Sequence, residues 1–297
     1  MAVNPIPNRY DLVYLFDVSD GNPNGDPDAG NMPRMDPEDN MGLTSDVSIK
    51  RKIRNYVQMA KKESDGYQIY VKEKAVLNKL NEQAREKLLG KEKPDDLKKL
   101  PKDEDKAKNL VSYMCSKYYD IRTFGAVMST GVNCGQVRGP VQFSFARSID
   151  PILPMEITIT RMAVTKKEDA EKGQTMGKKH IVTYALYRAH AHISANLADQ
   201  SGFSEDDLHL LWNALLGMHD HDHSATRGEM GPRGLVIFKH DSAIGNAPAR
   251  QLLERIKIKK VEGGAPRSYE DYRKNIVIDE SNMPDGVKID IKLDPRT

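Results

Sequence analysis

Between Tyr10 and Val18 the chain alternates: Tyr10, Leu12, Tyr14, Phe16 and Val18 share one side, Asp11, Val13, Leu15 and Asp17 the other. This period of two predicts a core strand with one fully apolar face and one mixed face. It runs into Asp20 to Asp39, where Gly, Pro, Asn and Asp are too frequent for helix or sheet, so a long loop with a functional purpose is expected. Thr44, Ser45 and Asp46 then offer N-caps, and Ile49, Ile53, Tyr56, Val57 and Ala60 recur at helical spacing up to Lys61 and Lys62.

A short strand is expected over Tyr67 to Val71 and a helix over Lys74 to Leu89. Gly90 to Lys108 interleaves both charge signs and reads as a solvated excursion, after which a helical stretch opens at Asn109. Asp120 to Val127 and a glycine-rich loop, Ser129 to Gly139, follow. Val141, Phe143 and Phe145 alternate with polar residues, as do Ile157 and Ile159, which predicts a hairpin around Asp150 to Pro154. The polar run Thr165 to Lys179 is expected to project from the body. His180 to Ser194 is a long strand candidate, and Ser204 with Asp207 forms a capping-box pattern ahead of Leu208, Leu211, Trp212, Leu215 and Leu216. A final core strand spans Leu235 to Lys239, followed by a short helix near Ala249 to Ile256. A last hairpin has its turn at Met283 to Gly286 and feeds Val287, Ile289, Ile291 and Leu293. With insertions set aside, the order is strand, helix, strand, strand, helix, strand: the βαββαβ pattern of an α+β, ferredoxin-like fold.

Composition narrows the class. The chain has 297 residues, enough for one large domain with its own core, and 38% of them are hydrophobic against 30% charged. No apolar run reaches the roughly 20 residues of a membrane helix, so no membrane partner is expected. Cys115 and Cys134 are the only cysteines, which favours a reducing cytoplasm and excludes a disulfide framework. The net charge of +2 lacks the excess typical of a small nucleic-acid-binding domain, so any polyanion must be held by local patches.

Candidate chemistry is sparse. Asp20, Asn22, Asn24, Gly25, Asp26 and Asp28 imitate the start of an EF-hand, yet Asn31 stands where a bidentate Glu is needed and Pro23 and Pro27 interrupt the run. Asx-turn chemistry is the plainer account; a third is a groove for an anion lined by the loop's amides and Arg34. His219, Asp220, His221, Asp222 and His223 are the most metal-like run, against which stands a solvated helix end. On the first helix Lys50, Arg54 and Lys61 fall within roughly 40° of one another at about 100° per residue, beside the apolar stripe. With the helix start at Ser45 and Asp46, such a stripe suits a phosphate backbone. Arg138 and Gly139 with Phe143 and Phe145 loosely resemble an RNA-recognition strand motif, but Pro140, Val141 and Gln142 miss its middle. Both phenylalanines are therefore assigned to the core.

Three stretches carry a family resemblance: LFDVSDGNPNGDPDAGNMPRMD with SDVSIKRKIRNYV; DIRTFGAVMS with QVRGPVQFSFARSIDPI; and HDHDHSATRGEMGPRGLVIFKHDS. In this order, from about Arg9 to at least Asp241, they resemble the seventh family of CRISPR-associated proteins, the backbone subunit of the type I-C surveillance complex, Cascade. The resemblance implies a single RRM-like palm domain over 1–297 with a helical fingers insertion at 64–118 and a β-hairpin thumb at 150–180. Many copies would stack head to tail along one guide crRNA, capped by other Cascade subunits, and leave the guide's bases to pair with a target DNA strand. It implies guide contacts from Ser45, Lys50, Arg51 and Arg54, from Arg34, Asn133, Gln136 and Arg138, and from a thumb carrying Lys166, Lys167 and Lys178. Met162 or Met176 would wedge against a displaced base. No cofactor and no catalysis are expected, the rival being a metal-dependent ribonuclease that uses the loop aspartates, Asp20, Asp26 and Asp28, or the histidine run. A weaker third possibility is a structural protein that docks a partner through Gly90 to Lys108.

Overall fold

A computed structural model of the chain describes residues 4–163 and 175–297. Its main sheet is built from β1 (Tyr10–Gly21), β2 (Met41–Thr44), β3 (Val141–Phe143), β4 (Ala146–Pro151), β5 (Pro154–Arg161), β6 (Thr175–Ile193), β7 (Glu229–His240) and β8 (Val287–Leu293). The strand order is β8-β7-β1-β6-β4-β2, with β3 and β5 pairing further stretches of β6, and each of these pairings is antiparallel. β1 lies at the centre, between β6 and β7.

The helices of six or more residues are α1 (Asp46–Lys61), α2 (Leu77–Leu89), α3 (Glu104–Lys117), α4 (Tyr119–Phe124), α5 (Ala195–Ser201) and α6 (Glu205–Gly217). The alternation of β1 sorts its side chains into two cores. Leu12, Tyr14, Phe16 and Val18 pack with Ile49, Ile53 and Val57 of α1 and Leu208, Leu211, Trp212 and Leu215 of α6. Each such side chain, fully buried, contributes about 1.5–3 kcal/mol. The expected capping box is present: Ser204 Oγ accepts from Asp207 N, and Asp207 Oδ2 accepts from Ser204 N at 3.0 Å.

Val13 and Leu15 point into a second core with Tyr184, Leu186, Val236 and Phe238, closed by Leu252, Leu253, Ile256, Tyr272, Ile276 and Ile278. The second sheet face is thus covered by the segment after β7, which contains a small ribbon of Ile256–Ile258 against Ile276–Ile278. A third core, with Tyr70, Leu110, Met114, Tyr118 and Ile121 among its members, holds α2, α3 and α4 together.

Several local expectations are corrected. β3 and β5 do not form a hairpin with each other; they lie one after another along the same edge of β6, and the true hairpin is β5 with residues 175–182. Tyr67 to Val71 forms no strand beyond an isolated bridge, Gln68 to Tyr118; its buried Ile69 joins the first core and its buried Tyr70 packs with α2, α3 and α4. β8 pairs with β7, not with a strand before the Met283 to Gly286 turn. The excursion Gly90 to Lys108 includes a short helix, Pro94–Leu97, and α3 begins inside it at Glu104, capped by Asp103. Phe143 is buried, but Phe145 is 55% exposed, in the break between β3 and β4 where the register along β6 shifts by one residue.

Candidate nucleic-acid interface

The loop after β1 is held by its own side chains. Asp28 N donates to Asp26 Oδ1 at 3.2 Å, Glu38 N to Asp36 Oδ1 at 3.1 Å and Met41 N to Asp39 Oδ1 at 3.0 Å. These are Asx turns, and the first of them occupies an Asp26 oxygen that an EF-hand would aim at calcium. Among the described residues no three His, Cys, Asp or Glu side chains converge as metal ligands. Arg34 does line the loop, with Nη2 3.4 Å from Asp26 Oδ1.

Asn24 fastens this loop to α1. Its Oδ1 accepts from both the amide and the hydroxyl of Ser45 at 2.9 Å, and its carbonyl accepts Arg34 N at 3.1 Å. Ser45 is also the N-cap, with Oγ accepting from Ser48 N at 3.3 Å. Ser45 and Arg34, 11 positions apart in the chain, therefore belong to one hydrogen-bonded unit. Sequence reasoning weighed Asn24 as a calcium ligand or an Asx-turn residue, not as a clasp on the α1 cap.

The basic stripe of α1 exists but is largely neutralised within the chain. Lys50 Nζ donates to Asp46 Oδ2 at 2.9 Å and to Gln142 Oε1 at 3.4 Å. Arg54 Nε donates to Asp120 Oδ2 at 2.9 Å, and Asp120 also accepts the amides of Tyr70 and Val71. Both cations lie over the Phe124 ring, 5.8 Å and 5.2 Å from its centroid, while Lys61 lies 4.6 Å over Tyr67. Arg51, on a neighbouring face, is exposed and has no carboxylate partner among the described residues.

Gln142 links this helix to the glycine-rich segment. Its Nε2 donates to Gly139 O at 2.9 Å and Phe124 O at 3.3 Å, at the base of a two-stranded ribbon, Gly125–Val127 against Gln136–Arg138. The ribbon closes tightly: a Cβ on Gly125, whose φ is +84°, would meet Val137 O at 2.5 Å. Gln136 and Arg138 are exposed on it, and Arg138 has no carboxylate partner among the described residues. Asn133 is turned inward to the loop: Oδ1 accepts Gly135 N at 2.9 Å and Nδ2 donates to Lys98 O at 3.4 Å. Its carbonyl accepts Arg85 Nη1 at 2.5 Å. Arg85, buried and bidentate with Glu92 at 2.7 and 2.8 Å, also reaches Lys99 O at 3.0 Å and so organises the loops around Asn133.

On the β5–β6 hairpin Met162 and Met176 are 79% and 75% exposed, and Lys178 Nζ pairs with Glu156 Oε1 at 2.7 Å. Lys166 and Lys167 lie outside the described residues. The histidine run is divided: His219 is buried and stacked 5.5 Å from Phe16, whereas His221 and His223 are exposed and Asp222 is paired with Lys52 and Arg227. Burial pushes His219 down to about 3, so its imidazole is neutral. Neither three imidazoles on one face nor a fully solvated helix end describes this run.

The interface thus brings together the Asn24–Ser45–Arg34 unit, the α1 cations and, through Gln142, the Arg138 ribbon. Sequence reasoning missed Phe124, Gln142 and Asp120, whose roles come from distant pairings rather than a local motif.

Among curated proteins the chain is similar to CRISPR-associated protein Cas7 of Haloferax volcanii, 24% identical over 303 residues, covering 93% of this chain and 82% of that protein. A chain of a solved CRISPR RNA-guided surveillance complex, pre-nicking, aligns with a TM-score of 0.51 at 14% identity, covering 93% of this chain and 84% of its own. A chain of a second CRISPR RNA-guided surveillance complex aligns with a TM-score of 0.45 at 16% identity, covering 90% and 81%. The model of the family described as CRISPR-associated protein Cas7 matches residues 8–279, and the chain belongs to that family.

Proposed function

We propose that this protein is a non-catalytic backbone subunit that binds a guide crRNA in a Cascade surveillance complex of the type I-C kind. Copies stack head to tail along the guide in the cytoplasm, other Cascade subunits cap the row, and the exposed guide bases pair with a target DNA strand. The order β7-β1-β6-β4 with α1 and α6 on one face supports a ferredoxin-like palm. The helical insertion is read as fingers at 64–118 and the hairpin as a thumb at 150–180.

The observation that carries this reading is the meeting of the α1 start with the Arg138 ribbon at Gln142, beside exposed Arg51 and Arg138. Cations and amides there suit phosphates, which position a strand without reading its sequence. Ser45 and Asn133 act by positioning the loops rather than by touching the guide, because their side chains and their backbone groups are already bonded within the chain. Sequencing the nucleic acid that copurifies when the chain is expressed with its neighbouring genes and a CRISPR array tests the reading. Intact repeat-spacer RNA of discrete length is expected; protein free of RNA overturns it.

A further inference from the structure

The segment that closes the second sheet face carries a charge pattern unlike that of α1. Between residues 255 and 274 the chain holds seven cations, Arg255, Lys257, Lys259, Lys260, Arg267, Arg273 and Lys274, against three carboxylates, Glu262, Glu270 and Asp271. Arg255 is absorbed by the carbonyls of Asp279, Ser281 and Asn282, and Arg273 by Glu270. Lys257, Lys259, Lys260 and Arg267 are exposed and have no carboxylate partner among the described residues.

Of the nearby carboxylates, Glu262 is exposed without a cation partner among the described residues, and three others are committed elsewhere. Asp271 Oδ2 accepts the amides of Arg267 and Ser268 at 2.8 and 3.0 Å. Asp150 accepts the Tyr272 hydroxyl at 2.5 Å and the Val261 amide at 3.3 Å. Asp279 Oδ1 accepts the Ser281 amide and hydroxyl. The cations cannot turn inward either, since Ile256 and Ile278 anchor the ribbon in the second core and leave Lys257 beside the 50% exposed Val277 on its outer side. The Val261 to Asp150 bond fixes the lysine run next to the end of β4, just before the β5–β6 hairpin.

We propose that this ribbon is a second, sequence-independent nucleic-acid contact, engaging the phosphate backbone of a single strand other than the guide. It lies across the sheet from α1, so a strand held there does not compete with one on the α1 side. Uncompensated cations fixed on one face of an otherwise balanced chain favour a polyanion, and release of its counterions drives binding. The proposal rests on the guide-binding reading above.

The test uses the assembled complex with its guide and a fluorescent single-stranded DNA that is not complementary to that guide. Binding is measured against salt for the native chain and for K257E/K259E/K260E, with guide content and subunit stoichiometry recorded in parallel. We expect unchanged guide and stoichiometry, at least tenfold weaker DNA binding, and a salt slope shallower by roughly 0.7 for each phosphate no longer neutralised. Unchanged DNA affinity with an intact complex overturns the proposal. Loss of guide with DNA binding would instead assign the ribbon to the guide groove, and loss of a partner subunit would make it a protein-docking surface; either also overturns it. A native complex that carries no guide would instead count against the guide-binding reading.

Discussion

Arg122 and Asp207 form a buried, two-pronged ion pair, Nε to Oδ2 at 2.8 Å and Nη2 to Oδ1 at 2.7 Å. The pair joins α4 to α6, and Asp207 is at the same time the reciprocal residue of the α6 capping box. Arg122 also donates to Gly66 O at 2.6 Å and lies 5.2 Å and 5.4 Å from the ring centroids of Tyr67 and Tyr119.

Replacing Arg122 with Ala should therefore destabilise the fold by about 3–5 kcal/mol, because it strands a buried carboxylate as well as removing an attraction. Chemical denaturation of R122A against the native chain measures this, and a loss below about 1 kcal/mol would show that the insertion is held by apolar contacts alone.

Arg54 and Arg51 should separate in experiment. R54A is expected to lower stability, since the buried Asp120 loses a cation that it holds together with the amides of Tyr70 and Val71. R51A/R138A is expected to leave stability within about 0.5 kcal/mol and to reduce the salt slope of guide binding by roughly 0.7 for each phosphate left without its cation. Filter binding across a salt series, paired with thermal unfolding, distinguishes the two.

His219 predicts a specific acid sensitivity. Its folded value, about 3, lies below the roughly 6.5 of an unfolded histidine. The unfolded state therefore binds the extra proton, and stability falls as pH drops from about 6.5 toward 3, by up to about 1.4 kcal/mol per pH unit for this one group. H219F keeps a ring against Phe16 and removes two buried nitrogens that have no hydrogen-bond partner among the described residues. The difference in unfolding free energy between the two proteins should widen in favour of H219F over that window; parallel curves would refute the assignment.

M176A tests the proposed thumb role of the β5–β6 hairpin. Met176 is 75% exposed, so the substitution should not change stability by more than about 0.5 kcal/mol. If the side chain wedges against a base, chemical probing of the guide in the complex should lose a regularly spaced reactive nucleotide.

The ribonuclease alternative has a direct test as well. RNA incubated with the protein and manganese is expected to remain intact, in the native chain as in D26N and H221A. Cleavage that vanishes in one of those variants would revive it.

What the sequence disclosed follows its local physics. The β1 alternation, the α1 stripe and the Ser204–Asp207 box are each encoded within a few residues and appear as expected. Pairing is not local: nothing in Val141 to Phe145 or Ile157 to Ile159 says that both border β6. The cover of the second sheet face was also hidden, because Ile256, Ile258, Ile276 and Ile278 occur in runs of only three strand residues. At the interface the angular position of Lys50 and Arg54 was legible, but the Asp120 that holds Arg54 lies 66 positions away. Phe145 shows the same limit, since alternation assigns a face but not the irregularity that tips a side chain out.

β6 runs unbroken for 19 residues, its first part paired with the hairpin strand β5 and its last part locked between β1 and β3. At about 3.3 Å per residue such a strand is roughly 60 Å long. It acts as a lever without a joint: a load applied at Met176 by a bound strand or a neighbouring copy travels along one backbone to Ala189, Ala191 and Ile193 in the core. A subunit built this way has mechanical continuity from tip to centre, so a row of copies would share strain rather than absorb it at separate hinges.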